Sequence, residues 1–158
     1  MRGSGETPYY LYGHRLEIAN RLLEKDKDKV LQFKKYPLVA LRQDIDEQYS
    51  NGMVTYNLNI AILEFTDKNY TSEQRYEKVF KPILYPLYAK FFIALRQSGF
   101  MWPGWQDMPP HVKIDRPFWG VAQQEKNVRS IFADPLDAIE IVNLKISKRL
   151  CNEKLLTL

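Results

Sequence analysis

The sequence predicts an α+β fold: an antiparallel or mixed β-sheet covered on one face by a long kinked helix, plus a short N-terminal helix. Three observations carry that expectation. An amphipathic helical stripe runs through residues 71–99, and a strand-like alternation of apolar and polar residues runs through 54–62. Strands and helices are segregated along the chain more than they alternate.

Residues 1–13 read as an extended N-terminal arm, in which Tyr9, Tyr10, Leu11 and Tyr12 need a surface to pack on. That surface belongs either to the same domain or to a neighbour. A single domain is expected over 14–147, followed by a tail over 148–158 that is a weak helix or a disordered end. His14 to Lys25 forms a short helix with Leu16, Ala19, Leu22 and Leu23 on one side. Its end runs into the sign-alternating segment Glu24-Lys25-Asp26-Lys27-Asp28-Lys29, which has the character of a solvated surface. Tyr36-Pro37 favours extended backbone, and Leu38 to Ile45 is a strand.

Asn51-Gly52 supplies the positive φ angles of a tight antiparallel hairpin. The strand after it places Val54, Tyr56, Leu58, Ile60 and Ile62 on a buried face, and Thr55, Asn57, Asn59 and Ala61 on a polar one. The long helix opens on Thr71 and Gln74, the ends of a capping box, and closes at Gly99. Its interior holds Pro82 and Pro86, each of which removes a backbone hydrogen bond at a cost of ~3 kcal/mol. Burying Leu and Phe at ~1.5–3 kcal/mol each outweighs that cost, so one kinked helix, or two short ones meeting near Pro82, is expected.

Residues 100–112, FMWPGWQDMPPHV, are too rich in proline and glycine for regular structure. Such a loop either lids the core or projects its tryptophans into a partner. A short strand pair is expected from Val112–Arg116 and Phe118–Val121 around Pro117, and Ala138 to Ser147 is the strand that closes the sheet.

Catalytic and cofactor signatures do not appear. The two histidines, His14 and His111, have no ligand-like neighbours in sequence, and no G-x-S-x-G or glycine-rich phosphate motif is present. Asp44, Asp46 and Glu47 form a local acidic group, and Asp134 and Asp137 flank Pro135; turn capping and solvation account for both. Metal binding at the first group would define a weaker, enzymatic reading. Cys151 stands alone among Lys148, Arg149 and Lys154, which excludes an intramolecular disulfide and fits a reducing compartment. No signal peptide is visible, and the longest apolar run is too short for a bilayer span. The expectation is a non-enzymatic protein without cofactor or metal. Net charge is +4, spread without a cluster, so specific nucleic-acid recognition is not expected; a basic nucleic-acid-associated module is the alternative reading.

Four stretches carry a resemblance. They are Tyr36-Pro37-Leu38-Val39-Ala40-Leu41, Val54 to Phe65, the helix opening Thr71-Ser72-Glu73-Gln74-Arg75-Tyr76, and Phe132 to Ile146 with Asp134-Pro135-Leu136-Asp137-Ala138-Ile139-Glu140-Ile141. In that pattern, over most of residues 36–146, the chain resembles the neck and tail-completion proteins of tailed bacteriophages, namely tail terminators and head–tail connector rings. The resemblance implies an α+β subunit of a closed ring, stacked between portal or neck and tail tube, with DNA passing through it. It also implies localisation in the virion after assembly in the host cytoplasm, and it brings no catalytic residues. The N-terminal segment and the 100–112 loop depart from the family pattern. As contacts to neighbouring copies or rings, the residues expected are Tyr9, Tyr10, Tyr12, Trp102 and Trp105, with the two tryptophans as the strongest anchors.

Overall fold

A computed structural model describes residues 8–27, 35–42, 44–104, 107–115 and 134–150. Two long strands form its spine: β4 (Met53–Phe65) and β6 (Leu136–Arg149), antiparallel from Met53 opposite Arg149 to Phe65 opposite Leu136. The remaining strands are β1 (Tyr9–Gly13), β2 (Leu38–Arg42), β3 (Asp46–Ser50) and β5 (Val112–Ile114). Together they make a six-stranded mixed sheet ordered β1-β2-β4-β6-β5, with β3 also paired to β4. Among the described residues only the β1–β2 pair is parallel. The α+β expectation holds.

Local chemistry explains where the elements start and stop. Helix α1 (Arg15–Asp26) begins at His14, whose side chain accepts a hydrogen bond from the Leu16 N–H. Asn51 and Gly52 both adopt positive φ, 50° and 71°, at the expected turn, but the strand they join to β4 is β3. The strand expected over 38–45 ends at Arg42, before the chain turns at Asp44 (φ 68°), and pairs separately with β4. The long helix carries its capping box: Thr71 Oγ1 accepts from the Gln74 N–H at 3.2 Å, and Gln74 Oε1 accepts from the Thr71 N–H at 3.0 Å. At its other end Gly99, at φ 85°, donates to the Arg96 carbonyl while Phe100 donates to that of Leu95, the two bonds of a Schellman close.

Between those caps the helix is continuous through both prolines. It runs in α geometry over Ser72–Arg75, in π geometry over Tyr76–Leu84 and again in α geometry over Tyr85–Gln97; the three segments are here α2. In the π stretch hydrogen bonds reach five residues back, as from the Tyr85 N–H to the Phe80 carbonyl. The wider turn relieves the clash of the Pro82 ring with the preceding turn of backbone, so the prolines relax the helix without breaking it.

The sheet is covered on both sides. Val39, Leu58, Ile60, Ile62, Ile139 and Ile141 pack with Val79, Phe80, Leu84, Tyr88 and Phe92 of α2. Leu38, Ala40, Ala61, Leu63, Leu136 and Ala138 face the other way, against Ile18, Ala19 and Leu22 of α1. The short helix therefore adds a second layer opposite the long one. Ala61, expected on a polar face, is buried at 1% exposure because α1 covers that half of β4.

Three expectations about the C-terminal half change. Strand β5 pairs with β6 at Ala138 to Glu140, and the segment 118–121 expected to partner it lies outside the described residues. Lys148 and Arg149, expected to begin a tail, continue β6 opposite Val54 and Met53. The strand expected to close the sheet is flanked by β5 only at Ala138 to Glu140, so it is interior there and becomes the sheet edge beyond. Residues 151–158, with Cys151, lie outside the described residues.

Candidate interaction surface

The N-terminal arm joins the sheet of its own chain. Tyr9 is opposite Leu38 and Gly13 opposite Arg42 in the parallel β1–β2 pair, and the Tyr9 N–H donates to the Pro37 carbonyl at 2.8 Å. Strand alternation then divides the tyrosines. Tyr9 and Leu11 turn toward the α1 layer, where the Lys25 ammonium sits 3.0 Å above the Tyr9 ring. Tyr10 and Tyr12 point to the other side and stay 56% and 46% exposed. Partial burial, and then the neighbouring Tyr12, raise the Tyr10 pKa above its ordinary value. Two adjacent exposed tyrosines on an edge strand form a compact amphipathic patch of the kind that anchors interfaces.

The aromatic loop takes the lid role. Trp102 is only 4% exposed, stacks edge-on against Phe92 at 5.2 Å and donates its indole N–H to the Asp107 carbonyl at 3.1 Å. Tyr88 donates its hydroxyl to the Pro109 carbonyl, and His111 packs against the rings of Tyr88 and Tyr85. Burial pushes the Tyr88 pKa up to about 12. Trp102 is expected from the sequence to anchor a neighbour; in the folded chain its ring is part of the core, so truncating it would strike the fold. Trp105 lies outside the described residues.

The carboxylates expected in turns behave differently from one another. Asp134 pairs with the Lys35 ammonium and accepts from the Tyr36 hydroxyl at 2.9 Å. Asp137 is fully buried beside Arg75, whose Nη1 lies 3.8 Å from its Oδ1 and whose guanidinium also donates to the Asp115 carbonyl. Burial is the largest influence on Asp137 and raises its pKa, against the opposing pull of the Thr66 hydroxyl and Arg75. Neither carboxylate is a solvated turn cap. Asp44, Asp46 and Glu47 do lie on the surface. Among the described residues no group of three or more His, Cys, Asp or Glu side chains is placed to hold a metal ion.

Past the end of α1 the sheet narrows to the ribbon β3-β4-β6, whose open face is polar. Asp46, Gln48, Thr55, Asn57, Asn143 and Lys145 line a depression of about 180 Å³ there. A bulge marks its border: Leu58 faces Leu144 but Ile60 faces Ile141, and Asn143 turns to φ 55°. The Asn143 N–H, left without a strand partner, donates to Asn59 Oδ1 at 2.9 Å. The sequence offers only two asparagines as a hint of this, since a bulge depends on the register between distant strands.

No family model, curated protein or solved structure matches this chain. What the geometry defines is a three-layered α+β domain, helix–sheet–helix, with exposed tyrosines on one sheet edge.

Proposed function

We propose that this chain is a non-enzymatic structural subunit that assembles with copies of itself into a ring of the phage neck or tail. In this reading it is a tail terminator or head–tail connector, joining head or portal to tail around the DNA channel. The observation that carries self-assembly is the edge strand β1, which holds Tyr10 and Tyr12 in the open on a rigid sheet. Such a patch, repeated around a ring, sums many modest interfaces into a stable closure. The phage assignment rests on the resemblance of residues 36–146; its described parts lie in β2, β4, the start of α2 and β6, one contiguous body.

The test is solution mass by light scattering across concentration, with imaging of any large particle. A discrete multiple with a central hole is the expected result. The paired change Tyr10→Ala and Tyr12→Ala should raise the concentration needed for assembly by about tenfold or more, with an unchanged circular dichroism spectrum. A strict monomer that binds duplex DNA in a salt-sensitive way would overturn the ring and favour the nucleic-acid module.

A further inference from the structure

Charge is distributed unevenly across the narrow ribbon. One edge is β3, where Asp46 and Glu47 are exposed and Tyr49 is 57% exposed. The opposite edge is β6, where Lys145 and Arg149 are exposed. Register places these groups in line. Asp46 is opposite Asn57 and Asn57 opposite Lys145, so one row crosses the ribbon from an acid to a base. Ser50, Met53 and Arg149 form a second row, adjacent to that of Tyr49. Cross-strand partners share a face, so Asp46 and Lys145 project to the same side of the ribbon.

We propose that the acidic β3 edge of one copy docks against the basic β6 edge of the next, as a second lateral contact of the ring proposed above, beside the tyrosine patch of β1. The inference rests on that ring reading and adds a charged contact to it. An acidic edge cannot meet itself, nor a basic edge itself, without like-charge repulsion; acid to base is head-to-tail, the heterologous contact that generates rings. The contact is made by side chains, because Met101 already pairs with the Ser147 backbone on the β6 edge. Met101, 45% exposed at that edge, and Tyr49 supply its apolar part. The subunit's outline favours closure over a fibre. The ribbon is three strands wide (β3-β4-β6) and the body five (β1-β2-β4-β6-β5), so at about 4.8 Å per strand the subunit is a wedge. The bulge at Leu58 and Ile60 lets the ribbon bend relative to the body, with narrow ends inward and bodies fanned outward.

The experiment reverses each edge in the full-length chain. One variant carries Asp46→Lys and Glu47→Lys, the other Lys145→Glu and Arg149→Glu. All four side chains are exposed, and circular dichroism and thermal melting check that each variant folds. Light scattering at low salt should show each variant alone losing assembly, with the required concentration raised at least about tenfold. A one-to-one mixture should recover it, because one partner then has two basic edges and the other two acidic ones. A chain carrying all four changes should recover it as well. If wild type assembles and both folded variants assemble equally well, the edge contact is wrong while the ring stands. If wild type is a strict monomer at every concentration, both readings fall.

Discussion

Burial raises the pKa of Asp137, so the sign of its effect on stability is the reverse of that of a surface carboxylate in an ion pair. Below the unfolded-state value of about 3.9 the carboxyl is neutral in both states, and its contribution to folding is fully present. As pH rises through the raised folded-state value, the unfolded chain ionises freely while the folded chain is penalised, and that contribution is lost. The melting temperature of wild type minus that of Asp137→Asn should therefore fall from pH 4 to pH 8. A difference that grows with pH would mean that the Arg75 ion pair outweighs desolvation. Nothing in Asp-Pro-Leu-Asp distinguishes Asp134, half-buried on Lys35, from Asp137, fully buried beside Arg75. Their partners lie far away in sequence, on the turn before β2 and the start of α2.

At the scale of the element, what the sequence made legible was local. The capping box, the Asn51-Gly52 turn and the Gly99 close each depend on residues within a few positions, and each is present as expected. Thr71→Ala removes one side-chain acceptor from the start of α2 and should cost about 1 kcal/mol in chemical denaturation, with assembly unaltered. A loss below a few tenths would mean that core packing alone fixes that end. The passage of α2 through Pro82 was not legible to the same degree. Proline forbids one hydrogen bond, but whether the helix breaks, bends or widens depends on what its apolar face gains from the sheet. Here Val79, Phe80 and Leu84 are all buried, and the π stretch keeps the three on the core.

For the whole molecule the decisive feature is a sheet with two covered faces. Ile62 and Leu63 are adjacent and both fully buried, one under α2 and the other under α1. Leu63→Ala should therefore cost about 2–5 kcal/mol by thermal or chemical denaturation, within the same range as Ile62→Ala. If Leu63→Ala were nearly neutral, the α1 layer would contribute nothing to the core. The same layering leaves the β3-β4-β6 ribbon bare on its polar face, since the core cluster that includes α1 takes in no β4 residue before Ala61. That bare ribbon and the tyrosines of β1 are the surfaces on which assembly is proposed.

By itself the sequence determined the α+β class, the span of the long helix, the Asn51-Gly52 turn and the strand β4, because each follows from periodicity or from backbone preferences of neighbouring residues. It did not show β3, the strand that enters that turn. It also determined that Tyr9 to Tyr12 would be extended, without saying on what. Tertiary structure alone decided that β1 lies on its own β2, so that only Tyr10 and Tyr12 face outward. It decided that Trp102 belongs to the core and that Asp46 and Lys145 share a row. These are matters of register and layer between segments tens of residues apart. A one-residue slip in pairing would turn every such side chain to the other face, and no local pattern encodes that choice.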